Sequence, residues 1–122
     1  MVHGHDGLDE ISVCAPTRIS ELNDGRIQTY DISPEQFFGE PADPEALTGG
    51  DPEKNADVTL KILDGEKGPR RDVVLINSAA ALVAAGKAEK LADGISVAAY
   101  AIDSGAARDK LDALIAFTRE NA

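Results

Sequence analysis

The stretch Val73 to Ala85 holds thirteen residues and two polar side chains, Asn77 and Ser78. Pro69 can open a helix there and Gly86 can stop it, so the sequence predicts a helix from about Arg70 to Ala85. A helix apolar on nearly every side should be deeply buried, which requires cover from other elements. Composition limits that cover. Of 122 residues 43% are hydrophobic, but many of these are alanine, and aromatics make up 4%. Small side chains bury little area each, so the core is expected to be thin unless another segment lies over it.

Met1-Val2-His3-Gly4 reads as the end of a strand entering a glycine-bearing loop, with almost no strand before it, a hint of truncation. His5 to Glu10 is a polar loop, and Ile11 to Pro16 continues irregularly or as a short strand. Thr17 to Leu22 alternates as a strand does. Asn23-Asp24-Gly25 then signals a tight turn, because these residues accept positive φ. Arg26 to Ile32 returns, with Ile27, Thr29 and Asp31 on one face and Gln28, Tyr30 and Ile32 on the other.

Ser33-Pro34-Glu35 opens a short helix that ends by Phe38-Gly39, and a loop runs on through Pro41, Pro44 and Gly49-Gly50. Asp51 caps a helix from Pro52 to about Asp64. After the apolar helix come two more, Leu91 to Asp103 and Ala106 to Glu120. The last carries Leu111, Leu114, Ile115 and Thr118 as an amphipathic stripe. No repeat or internal boundary divides the chain. The expected fold is α/β, a β-hairpin plus a short strand followed by about four helices in one unit, residues 1–122.

Twelve basic residues against 22 acidic ones give a net charge of −10. Such a surface repels phosphate backbones and anionic membranes, so neither nucleic acid nor a membrane is an expected partner. Phosphorylated small molecules stay open, since a cleft can be locally positive. The single cysteine, Cys14, cannot close an internal disulfide, which fits a reducing cytoplasm. No run is long enough to span a bilayer, and no signal core stands at the N-terminus.

The run His3-Gly4-His5-Asp6-Gly7-Leu8-Asp9-Glu10 is where chemistry concentrates. In a glycine-flanked loop adjacent acids can converge, and two carboxylates plus water suit a hard cation such as Mg²⁺. Read alone, the run is a poor metal signal and fits better a solvated acidic loop, common in a chain this acidic. His3 and His5 beside Asp6 lack further ligands for zinc. Cys14 reads as an inert thiol. Gly49-Gly50-Asp51 offers a cap rather than a phosphate cradle, and Arg70-Arg71 reads as surface solvation.

In order and spacing, VHG-x-DGLDEIS-x-x-x-PT-x-x-x-EL-x-DG-x-I, then GGDPEKNA, ILDGEKGPRRDVVLINSAAALVAAGKA and AIDSGAARDKLDAL, the chain resembles the C-terminal part of anthranilate phosphoribosyltransferases. That resemblance implies transfer of phosphoribosyl from 5-phosphoribosyl 1-diphosphate to the amino group of anthranilate, in tryptophan biosynthesis. It implies Mg²⁺ on the diphosphate, held by Asp9 and Glu10, with His3 and Gly4 as structural neighbours.

The family's glycine-rich GTGGD-like loop and the arginine used for anthranilate have no counterpart here, nor does the helical domain through which the family forms homodimers. The chain is therefore expected to be inactive alone and unstable, with strand Met1–His3 lacking neighbours. A related pyrimidine nucleoside phosphorylase, a nucleic-acid-binding relative and a sheet-filling interaction module are the competing readings.

Overall fold

The structure, a computed structural model, describes residues 1–121. Three strands come first: β1 (Val2–Gly4), β2 (Thr17–Asn23) and β3 (Arg26–Ile32). They form one antiparallel sheet in the order β1-β2-β3. Asp24 and Gly25 make the two-residue turn of the hairpin, at φ +48° and +77°, the left-handed pair whose twist matches the flanking strands. Leu22 faces Ile27 and Arg18 faces Asp31, so the two faces of β3 are those the alternation predicts. β1 is not left without a neighbour, contrary to expectation. Val2 pairs with Ile19 and Gly4 with Thr17.

Helix α1 (Glu35–Phe38) is a single turn, and a 3-10 turn at Pro44–Leu47 stands where the sequence suggested plain loop. Asp43 accounts for that turn. Its carboxylate accepts from Glu45 N at 2.9 Å, and Pro44 supplies a preset φ. The four long helices are α2 (Pro52–Leu63), α3 (Pro69–Ala84), α4 (Leu91–Asp103) and α5 (Ala106–Glu120). Among the described residues no helix is long and apolar enough to cross a membrane.

Helix α3 divides two small cores. Ile76 joins Ile11, Val13 and Ile19 against the sheet, with Phe37, Phe38 and Val73 at the margin. Leu75, one residue away and so on another face, joins Ala98 and Ile102 of α4. The expected deep burial of α3 holds along part of its surface. Leu75, Ile76 and Ala79 are buried, whereas Val74 is 37% exposed and Ala81 and Ala84 lie open. On α5, Leu111 and Ile115 are half-buried, but Leu114 and Thr118 face solvent. The irregular segment after the acidic loop proves central instead, with Ile11 and Val13 at 1% and 2% exposure.

Candidate functional site

The acidic loop is built from its ends inward. Gly4 closes β1 and donates its N–H to Leu8 O at 2.8 Å, while Gly7 N reaches Gly4 O at 3.0 Å. Gly7 sits at φ +93°, a conformation that side-chain-bearing residues rarely adopt. A β-carbon on Gly4 would collide with Asp6 Oδ1 and press on Leu8 and Ser12. The glycines are thus what lets the loop fold back upon itself.

Asp6 is consumed inside the loop. Its Oδ1 accepts from Leu8 N at 3.2 Å and its Oδ2 from the Ser12 hydroxyl at 2.6 Å. The Ser12 bond, ahead of all else, holds the Asp6 carboxyl below the usual carboxylate range. Ser12 is itself buried at 3%. Its Oγ accepts from Cys14 N and Ala15 N, and its own N–H goes to Thr17 Oγ1 at 3.0 Å. A short polar network therefore ties the loop to the start of β2.

The other end is gripped by α3. Asn77 Oδ1 accepts from Ile11 N at 2.9 Å, and its Nδ2 donates to Ile11 O at 2.9 Å and to Val73 O at 2.9 Å. In the sequence Asn77 stands simply as a polar exception in an apolar helix, and nothing near it marks Ile11 as its partner. That exception was the available signal, because a polar side chain among apolar ones needs partners.

Between these anchors lie Asp9 and Glu10, both exposed. Among the described residues neither carboxylate takes part in a hydrogen bond or ion pair, unlike that of Asp6. Their loop places two uncommitted hard oxygen donors next to each other in sequence. No three His, Cys, Asp or Glu side chains come together as a cage among the described residues. Mg²⁺ does not need one, since it commonly takes one or two carboxylates, waters and phosphate oxygens.

His5 is directed elsewhere. Its Nε2 stands 3.6 Å from Asp31 Oδ1, and Asp31 is also held by Arg18 at 2.9 and 3.1 Å. That guanidinium lowers the Asp31 carboxyl below its ordinary range. His3 pairs with Arg18 in the sheet register and is exposed. Cys14 is half-buried, and burial, with the charges of Asp6 and Asp43, raises its thiol pKa.

Asp51 caps α2 as expected, accepting from Lys54 N at 2.8 Å. Arg70 and Arg71 are not a solvated patch, which corrects the sequence reading. Arg70 donates to Ala46 O and Thr48 O at 2.9 and 2.8 Å, pinning the 3-10 turn. Arg71 is 3% exposed and pairs with Asp103 at 2.8 Å. Two hollows lie away from Asp9 and Glu10. One of about 800 Å³ is walled by Val2, Ile19, Tyr30, Phe37, Val83 and Leu91. Another of about 460 Å³ lies between Asp64, Lys67, Asp103 and Arg108.

Residues 1–108 match the glycosyl transferase family, a/b domain, and the chain belongs to that family. Within it, the similarity is to anthranilate phosphoribosyltransferases. The chain is 65% identical to the one from Desulfosudis oleivorans over 122 residues, 99% of this chain and 36% of that protein. It is 59% identical to that of Desulfatibacillum aliphaticivorans, again over 99% of this chain and 36% of the relative.

Among solved structures, the Thermus thermophilus enzyme superposes with a TM-score of 0.85 at 38% identity, over 97% of this chain and 35% of that one. The Saccharomyces cerevisiae enzyme in complex with PRPP and Mg gives 0.79 at 26% identity, over 91% and 32%. The chain thus spans about a third of the length of the relatives it matches, and it shares their α/β fold.

Proposed function

We propose that this chain is the acid-bearing part of an anthranilate phosphoribosyltransferase and that Asp9 and Glu10 are its Mg²⁺ ligands. The observation that carries the reading is the division of labour in the loop. Asp6 is spent on Ser12 and Leu8, while Asp9 and Glu10 are left exposed and unpartnered among the described residues. The donor set fits a hard cation, because both groups are oxygen donors and open to solvent-held water and phosphate. Relatives named for this reaction, and the yeast structure named for its PRPP and Mg, support the assignment.

The reaction moves the phosphoribosyl group of 5-phosphoribosyl 1-diphosphate onto the anthranilate amine and releases diphosphate. When bound, Mg²⁺ neutralises charge that builds on the departing diphosphate. Asp9 and Glu10 fix where that positive charge sits, and the anchored loop holds them there without reorganisation. His3 and Gly4 shape the strand end and take no part in the chemistry. By itself the chain does not turn over, because positioning of both substrates supplies much of such a rate and the diphosphate-cradling glycine loop is not in this sequence. The net charge of −10 keeps nucleic acid from being a partner.

The test is a chimera in which residues 1–122 replace the matching third of the Desulfosudis relative. It should make phosphoribosyl-anthranilate, and the isolated chain should make none. Asp9→Asn or Glu10→Gln in the chimera should lower kcat about 100-fold or more. Full activity in both variants would sink the assignment.

A further inference from the structure

We infer that Asn77 is a positioning residue for the Asp9–Glu10 carboxylates, acting through the backbone of Ile11; this rests on the metal-ligand reading above. Ile11 N belongs to the peptide that begins at Glu10, and Ile11 O to the next peptide. One carboxamide holds both, with Oδ1 on the N–H and Nδ2 on the carbonyl, each at 2.9 Å. Two successive peptide planes are thereby fixed by a single side chain.

The orientation of that amide is settled by its partners. Turned over, it would aim its oxygen at two carbonyls, Ile11 O and Val73 O, and its NH₂ at an N–H. The Val73 bond also ties the carboxamide to its own helix, so the grip is transmitted from α3 rather than from a loose side chain. Ile11 is 1% exposed and packs with Ile76, one residue from Asn77.

At the other end, Leu8 is held through its oxygen by Gly4 N and through its N–H by Asp6. Asp9 and Glu10 therefore form a two-residue span between two fixed points, Leu8 and Ile11. A span that short leaves the carboxylates few backbone conformations, and groups that orient metal ligands typically alter affinity by about 10- to 100-fold. A purely structural Asn77 would affect melting but not the behaviour of a cation at the loop.

The experiment is a Mn²⁺ titration of the full ¹⁵N-labelled chain, read as paramagnetic broadening of amide signals at low temperature. In the wild type, amides flanking Asp9 and Glu10 should broaden first. In Asn77→Ala the same broadening should need about tenfold more Mn²⁺, while β2, β3 and α4 signals keep their positions. Should Asn77→Ala fail to fold, Asn77→Ser is used, whose hydroxyl can still return to Val73 O.

A folded Asn77 variant with an unchanged Mn²⁺ response overturns the inference. Asp9→Asn separates the two claims. If it abolishes the broadening while Asn77 variants do not alter it, the positioning role alone fails. If Asp9→Asn and Glu10→Gln leave the broadening unchanged, the metal-ligand reading fails and takes the positioning role with it.

Discussion

Gly94 of α4 lies so close to Ala79 of α3 that a β-carbon built on it would stand 2.8 Å from both Ala79 Cα and Cβ. Ala79 is fully buried, and the nearest atoms include backbone that cannot swing aside. Replacing Gly by Ala in a free helix gains up to about 1 kcal/mol in propensity. Here an overpacking cost of about 1–3 kcal/mol opposes it, so Gly94→Ala should show no gain and lose up to about 2 kcal/mol net. Urea denaturation followed by circular dichroism measures it, and a more stable variant would show that the two helices can separate cheaply.

The pair Arg71 and Asp103 joins the first turn of α3 to the last residue of α4. Arg71 is buried, and its Nη1 has no partner among the described residues, so Asp103 is what balances its charge. Removing one member of such a pair leaves the other uncompensated. Asp103→Ala should therefore lower the melting temperature clearly, whereas Lys67→Ala should barely move it, because Lys67 reaches the same carboxylate from solvent at 3.4 Å. Equal effects of the two substitutions would contradict this ranking.

Acid should destabilise the chain in a defined window. Asp6, Asp31 and Asp103 all have carboxyls below their ordinary value of 3.8. For Asp6 the Ser12 hydroxyl is the main cause, and for Asp31 the Arg18 bond. At Asp103 burial opposes ionisation, but Arg71 and Lys67 together outweigh it. Depressed values mean stability that is present above the unfolded pKa and lost as pH falls through the folded one. Melting temperature should hold from neutrality to roughly pH 4 and drop below it. In Ser12→Ala the Asp6 titration, followed by NMR, should move up towards its ordinary value, and no movement would remove Ser12 as the cause.

Asp9→Asn and Glu10→Gln should leave stability within about 0.5 kcal/mol of the parent chain. Both side chains are exposed, and neither has a partner to lose among the described residues. Thermal melts decide the point. A large loss would mean that the acids hold the loop together rather than stand ready for a cation.

Legibility followed sequence distance. The Asp24-Gly25 turn, the Asp51 cap and the bounds of the four long helices came from residues within a few positions of one another, where local sterics decide. Arg71 looked like a surface charge because its partner lies 32 residues away. Ile11 and Val13 looked like irregular loop because no period marks a segment buried by contacts from elsewhere. The apolar run of α3 promised full burial, yet periodicity says which residues prefer shelter and not how much cover exists. Asp9 and Glu10 stood out through family resemblance, since acidic loops are common in so acidic a chain. Nothing local distinguished them from Asp6, whose carboxylate turned inward to Ser12.

The Ile11–Asn77 contact spans 66 positions, and that separation has a consequence in time. A ribosome adding about 5–20 residues per second completes the acidic loop and then needs roughly 3–13 s to make Asn77. During that interval the hairpin can close, since its contacts are local, but the Glu10–Ile11 peptide has nothing to seize it. The loop that carries Asp9 and Glu10 is thus made several seconds before the side chain that gives it its final shape.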